Sequence, residues 1–417
     1  MSKEVRSVLV LASCLGTSFN EKSIFLVWDK MGVNSFLHQG DRTRIRSLLN
    51  KAVDASFLER IQEGTYASRG GRNYRWTHDK VMDAAISNIE ADALAALRFE
   101  VGSTLFSSLP EDELEENIFT VANLVNSGGR SVLGSLESKR RVQLAFLNLL
   151  AARRAVEFSA FSSAARYAKV GVELLPPNRR WKDHRDLMLE LSSISAEVAG
   201  SLSKRRDLER WSEEILCRNE LTVFDKLRAY MSLIDSMGKN GYPDQAADLC
   251  RAVLESLGCI FSIDQVRWDE EAMRSRLEAN RDIVNDMTYT RVVECLPRME
   301  DREKMESITI LTRLCSYLII LQDREAFMMA VSRLARWTFH YGLSNESPVV
   351  FAFYALSFII QQDFAAGAMN GKVALALLEN TNNRNAKAKT LFFVWFMVMP
   401  WTRHVRDSEK PLVAGKF

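Results

Sequence analysis

The stretch TYASRGGRNYRWTHDKVMDAAISNI, residues 65–89, closes one kind of module and opens another. Its first half reads as a short hairpin. Two polar-aromatic arms meet at Arg69-Gly70-Gly71-Arg72, and adjacent glycines supply the positive φ angles that a tight primed turn needs. The second arm sets Tyr74 and Trp76 on one face of a strand. His78-Asp79 then breaks the period of two, and Val81, Ala84, Ala85 and Ile89 form an apolar stripe close to helical spacing. Asp79 is expected to cap a helix that starts at Lys80, with His78 packed or hydrogen-bonded at the corner.

Upstream of the hairpin, Val5, Val8, Leu9 and Ala12 share a helical face that ends near Gly16, and 23–31 gives a second short helix. A third helix is expected over 43–63, carrying Ile45, Leu48, Leu49, Ala52, Phe57, Leu58 and Ile61 until Gly64 stops it. Three helices followed by a two-stranded wing predict a winged-helix head.

Downstream, the pattern is helical almost throughout. One stripe runs through Leu94, Leu97, Val101 and Leu105, and a second through Leu114, Ile118, Val121, Ala122 and Val125. After a Ser127-Gly128-Gly129 break, an amphipathic helix carries Val142, Ala145, Phe146, Leu149, Ala152 and Val156 on its apolar side. Its partner carries Phe161, Ala164, Ala165, Ala168, Val172 and Leu175, and ends at Pro176-Pro177.

The joint SAFSSA is echoed by KNGYPDQA and QQDFAAGA, with weaker joints near Lys204 and Asp323. Joints at 161, 204, 242, 324 and 364 lie 43, 38, 82 and 40 residues apart, which hides one unit between 242 and 324. That hidden unit, 259–301, is expected to be the least regular. Small residues beside an aromatic at each joint follow the logic of tetratricopeptide-like helix pairs, which bury their apolar faces only by stacking. The expected fold is therefore all-α: a winged-helix head with one small β-hairpin, then a tetratricopeptide-like α-solenoid. It divides into a winged-helix domain over 1–90, a helical connector over 91–137, repeats over 138–400, and a tail over 401–417 that reads as truncated.

Composition bounds the function. The 417 residues are 47% hydrophobic and 26% charged with net charge +2, which excludes a disordered chain and gives no global field toward nucleic acid or acidic lipid. Six cysteines, without C-x-x-C or disulfide-framework spacing, read as reduced and mostly buried. The apolar runs 308–321 and 391–401 are too charged or too short to span a bilayer. No G-x-x-x-x-G-K-[ST] loop is present; Gly238-Lys239-Asn240 and Gly371-Lys372-Val373 lack the upstream glycine and the hydroxyl.

The phrases LVLASCLGTSF (9–19), YRWTHDKVMDAAISNI (74–89), LEENIFTVANLVN (114–126) and LPRMEDREKM (296–305) resemble the region that follows the nucleotide-binding core of large STAND-type AAA ATPases. Such ATPases sit in multidomain signalling proteins beside serine/threonine-kinase, GAF, PAS or histidine-kinase modules. Leu124 stands where the family often has histidine, so no role of that imidazole carries over. The resemblance implies a winged-helix and repeat segment whose ATPase core lies upstream, with both ends of this chain reading as cut. It also implies that His78 senses the nucleotide state within the parent protein.

Read as chemistry, the candidates are few. His78-Asp79 offers an imidazole beside a carboxylate, but adjacent side chains diverge and no nucleophile accompanies them. No catalytic residue is assigned, and no histidine has a partner at metal-ligand spacing, so no metal site is assigned either. Arg69, Arg72 and Arg75 on the wing, with Arg42, Arg44, Arg46 and Lys51 on the third helix, suit a solvated face or interdomain contact better than DNA, because Asp54 and Glu59 are mixed among them. The tryptophans at 181, 211, 268, 337, 395 and 401 read as packing residues.

The function expected is a non-catalytic, cytoplasmic regulatory segment that binds protein partners through its repeat surface and relays to an upstream ATPase. No cofactor is expected in this chain, ATP belonging to the parent. A free-standing repeat scaffold is the alternative, with a DNA-binding regulator behind it.

Overall fold

Ser2 opens the first helix, α1 (Lys3–Leu15), by accepting from the Val5 amide at 3.3 Å, and Gly16 at φ 110° closes it. The structure is a computed structural model that describes residues 2–31, 42–61, 71–259, 296–379 and 384–414. The head continues through β1 (Ser18–Asn20), α2 (Glu21–Met31), α3 (Arg42–Asp54), β2 (Leu58–Ile61), β3 (Asn73–Trp76) and α4 (Asp79–Ile86).

All three strands are antiparallel in the order β1-β3-β2, so β3 is central. Tyr74 and Trp76 both face inward, and Tyr74 stacks on Phe19 of β1 at 5.8 Å. The single hairpin expected from the sequence is thus a three-stranded sheet. Its extra strand is only three residues long, too short for an alternation to register.

The third helix also ends earlier than its apolar spacing suggests. Ser56 takes a left-handed φ of 58°, the Phe57 amide reaches back to the Ala52 carbonyl at 2.9 Å, and Leu58 enters the sheet opposite Trp76. Phe57, Leu58 and Ile61 fit a helical period as well as a strand, and cross-strand pairing decides between them. The expected turn at Arg69-Gly70 lies outside the described residues, as do Trp268 and 260–295 of the hidden unit.

Beyond the head come α5 (Ala91–Ser108), α6 (Glu111–Glu116), α7 (Ile118–Asn126), α8 (Gly129–Ser135), α9 (Ser138–Glu157), α10 (Phe161–Leu174), α11 (Arg180–Asp183), α12 (Arg185–Ser201), α13 (Arg205–Leu216), α14 (Val223–Lys239) and α15 (Pro243–Ser256). After the gap, helices follow over Arg302–Ile320, Arg324–Tyr341, Ser347–Ile360, Phe364–Glu379 and Arg384–Phe392, then a π-helical turn over Phe393–Val398. Last come a 3₁₀ turn, Val405–Ser408, and a short helix, Glu409–Ala414. Among the described residues the fold is all-α apart from one three-stranded sheet, with helices stacked in pairs within each unit in the manner of an α-solenoid.

Every joint noticed in the sequence is a real elbow with one backbone geometry. Ser159, Ser203, Gly241, Gln322 and Gln362 each adopt φ between 56° and 84°. The amide after each of them bonds to a carbonyl five residues back, as in Ala160 to Ala155 at 2.8 Å and Asp363 to Phe358 at 2.9 Å. This is the Schellman closure of a helix end. At the last two elbows an aspartate also caps the next helix, Asp323 accepting from Ala326 and Asp363 from Ala366, each at 3.1 Å.

Small residues bring helices into close contact where the sequence placed them. A Cβ on Gly171 of α10 would lie 2.7 Å from Leu191 of α12, and one on Gly102 of α5 would lie 2.8 Å from the Val125 amide nitrogen of α7.

Contact density separates two compact units, 1–215 and 216–417. In the first, Asn126 of α7 and the fully buried Asn148 of α9 exchange amide hydrogen bonds at 2.8 and 3.1 Å, so α7 is fastened to the first repeat pair. In the second, Ser347–Ile360 is buried on every side through Ile359, with Phe353 meeting Phe327 edge-on at 5.9 Å. There the phrase 296–301 forms a strap: the Leu343 amide donates to Pro297 at 2.7 Å, the Met299 amide donates to Leu343 at 2.9 Å, and Asp301 caps the helix at Arg302.

Candidate functional site

The head carries the residues that sequence reasoning singled out. Helix α4 begins at Asp79 itself, so His78, not Asp79, is the N-cap residue, and its imidazole makes no capping hydrogen bond. Its carbonyl instead accepts from the Val81 and Met82 amides at 3.0 and 3.3 Å. His78 is exposed rather than packed, because β3 delivers it to the surface one residue before the helix turns away. Asp79 sits in the first turn, where a carboxylate is favoured by the helix dipole.

The basic residues of the head are largely engaged with acids. Arg46 grips Glu21 with two hydrogen bonds, 2.6 and 3.1 Å, while Arg44 meets Glu4 at 2.5 Å. Arg75 meets Glu59 at 2.6 Å directly across the β2–β3 pair. Burial of Glu21, only 1% exposed, works against its charge, yet the hydrogen bonds from Arg46 and the Arg72 backbone outweigh it and hold the carboxyl below its usual range. These pairs stitch α1, α2 and α3 together and brace the sheet, which leaves Arg42, Lys51 and Arg72 as exposed cations of the set, Arg42 lying over the Phe25 ring at 5.9 Å. Arg69 lies outside the described residues.

A cleft of about 530 Å³ opens among helices of the first unit. Helix α5 contributes Phe106, α9 contributes Arg140, Val142, Gln143 and Phe146, and α12 contributes Leu187. On α9, Ala145, Leu149 and Ala152 turn inward as the periodicity suggests, but Phe146 does not: it is 46% exposed and forms a wall of the cleft. A stripe count assigns any aromatic near the inner face to the core, and the signal that separates Phe146 from Ala145 is one step of about 100° around the helix. Arg140 lies over the Phe106 ring at 5.8 Å and donates to Gln143 at 3.1 Å, the Ser103 carbonyl at 3.3 Å and the Ser107 hydroxyl at 3.4 Å. Further along α9, Arg153 pairs with Glu190 of α12 at 2.8 Å.

Elsewhere the chemistry is structural. Trp181 donates its indole N–H to Glu214 at 2.6 Å, consistent with a packing role, whereas Trp401 is 60% exposed and stacks on Phe364 at 5.3 Å. Trp401 therefore packs at the surface, against Phe364. Cys14, Cys250, Cys259 and Cys315 are buried thiols, burial pushing Cys250 up to about 12, and Cys217 is exposed. Among the described residues no group of three or more histidine, cysteine, aspartate or glutamate side chains is placed to hold a metal ion, and no helix is long and apolar enough to cross a membrane.

No family model matches the chain, and no curated protein matches it. A solved structure that is similar is that of a STAND protein, a Signal Transduction ATPase with Numerous Domains, with a tetratricopeptide repeat sensor from Pyrococcus horikoshii. The identity is 13% and the TM-score 0.30, over 100% of this chain and 63% of that one. The chain thus spans less than two thirds of that protein's length.

Proposed function

We propose that this chain is a regulatory, protein-binding segment of a STAND-type signalling ATPase: a winged-helix head leading a tetratricopeptide-like array, with phosphate chemistry in a domain upstream. The observation that carries the reading is the cleft on α5, α9 and α12, an apolar recess on a stack of helix pairs, where such arrays engage segments of other proteins. The order helix, strand, two helices and two strands supports the winged-helix part, and the phrases 74–89 and 114–126 support the STAND-type part. The boundaries proposed are 1–90 for the head, 91–137 for the connector and 138–400 for the repeats.

In this reading the segment works in the cytoplasm, without a catalytic group or bound cofactor of its own. Arginines committed to Glu4, Glu21 and Glu59 weigh against DNA as the partner of the head. The exposed His78 is the residue proposed to meet the nucleotide-binding core. Replacing it with alanine in the parent protein should weaken ATP retention, and unchanged affinity and closure would remove that role.

Titrating the purified chain with Mg-ATP tests the assignment of phosphate chemistry elsewhere. No saturable heat is expected, and stoichiometric binding would overturn the assignment. Mapping the transcript upstream of Met1 separates this reading from a free-standing scaffold, since a continuous frame with a phosphate-binding loop belongs only to the first.

A further inference from the structure

We infer that the cleft on α5, α9 and α12 seats a short segment of a partner protein that carries a bulky aliphatic or aromatic side chain next to an aspartate or glutamate. The inference rests on the protein-binding reading above and specifies the partner's chemistry. Its apolar half follows from the lining: Phe106, Val142, Phe146 and Leu187 offer two aromatic and two aliphatic surfaces, with Phe146 nearly half exposed. A large apolar side chain placed there removes that surface from water.

The acidic half follows from Arg140. Among the described residues it is the one charged residue lining the cleft, and its guanidinium meets a carbonyl, a hydroxyl and an amide oxygen but no carboxylate. Neighbouring arginines on the same helix differ, Arg153 being paired with Glu190 and Arg154 with Glu157. A second observation points the same way. Arg140 sits in the first turn of a 20-residue helix that has no acid in that turn, and Lys139 and Arg141 flank it. The helix dipole disfavours a cation there, so the field of the N-terminus adds to that of Arg140, which turns to α5 while Arg141 reaches the Glu173 carbonyl of α10 at 3.4 Å; Glu137 stands ahead of them at the N-cap. An incoming carboxylate satisfies both, through charge-assisted hydrogen bonds from a guanidinium already oriented by Gln143 and Ser107.

Panning a display library of random 12-residue peptides on the whole chain tests the inference. Labelled copies of the enriched peptides are then titrated by fluorescence polarisation. Enriched sequences should hold an acidic residue within a few positions of Leu, Ile, Phe or Trp. Arg140→Glu should weaken their binding by about tenfold or more, as expected for a lost charged pair, and should shift a repeated selection toward basic peptides. Phe146→Ala should weaken binding comparably while leaving the thermal melt unchanged, its ring being half in water. Where Arg140→Glu fails to fold, Arg140→Gln decides. Raising NaCl from about 50 to about 500 mM should also weaken binding. Enriched peptides without acids, or acidic peptides indifferent to both substitutions, would overturn the inference yet leave the broader protein-binding reading standing. Failure to enrich any sequence would count against both.

Discussion

Glu21 shows how one side chain can hold a small head together. Its carboxylate is almost out of water and takes both hydrogen bonds of Arg46, so losing the charge strands a half-buried partner. A carboxyl held below its usual pKa adds stability that is complete above that range and disappears as pH falls through its folded value. Glu21→Gln should therefore cost about 1.5–3 kcal/mol near neutrality, the usual worth of hydrogen bonds to a charged group. In paired melts the gap between wild type and variant should narrow steadily below the ordinary glutamate value of 4.5; a gap constant from pH 7 to pH 3 would remove Glu21 from the account. The thiols give a second residue-scale expectation. Mild iodoacetamide labelling with peptide mapping should modify Cys217 and spare Cys14, Cys250 and Cys315, because burial suppresses the thiolate that reacts.

At the scale of the element, the elbows are where sequence and structure agree best. SAFSSA, KNGYPDQA and QQDFAAGA are legible because an aromatic or proline start and small residues recur at a fixed distance from a helix end. What spacing does not reveal is the backbone state of the residue before each start. Ser159, Ser203, Gln322 and Gln362 are left-handed without being glycine. That conformation costs an ordinary residue about 1–2 kcal/mol, and glycine returns about 0.5–1 kcal/mol of it through its freer unfolded chain. Gln322→Gly and Gln362→Gly, both at exposed positions, should each raise stability by about 0.5–1 kcal/mol in urea titrations. A loss would mean that the glutamine side chains contribute more than the backbone releases. The overrun of the third helix is the same lesson in reverse, because Ser56 makes the same left-handed turn and no glycine or proline announces it.

For the whole molecule, the helical class was legible from periodicity, while the cleft was not. Its walls come from α5, α9 and α12, and only folding places Phe106, Phe146 and Leu187 together. The core of the second unit was partly hidden for a related reason. Ser347–Ile360 is apolar on all sides, so it has no stripe to count, yet it is the helix around which its neighbours pack. Phe353→Ala should cost about 3–5 kcal/mol, and hydrogen exchange should accelerate across 302–379 as a block. Acceleration confined to 347–360 would show that the packing is less shared than the core implies.

The elbows also set a rule for length variation. Each leaves three residues between one helix and the next, and two backbone bonds fix their conformation, so the count itself works like the teeth of a gear. One extra residue at 158–160 breaks that closure and turns the following helix by up to about 100°, swinging Ala164, Ala168 and Val172 off the surface they cover. The same insertion at 176–179, between pairs, meets no such ratchet. Soluble yield and melting temperature of the two insertion variants should differ sharply. Lineages of this array should therefore drift in length between its pairs and keep count within them.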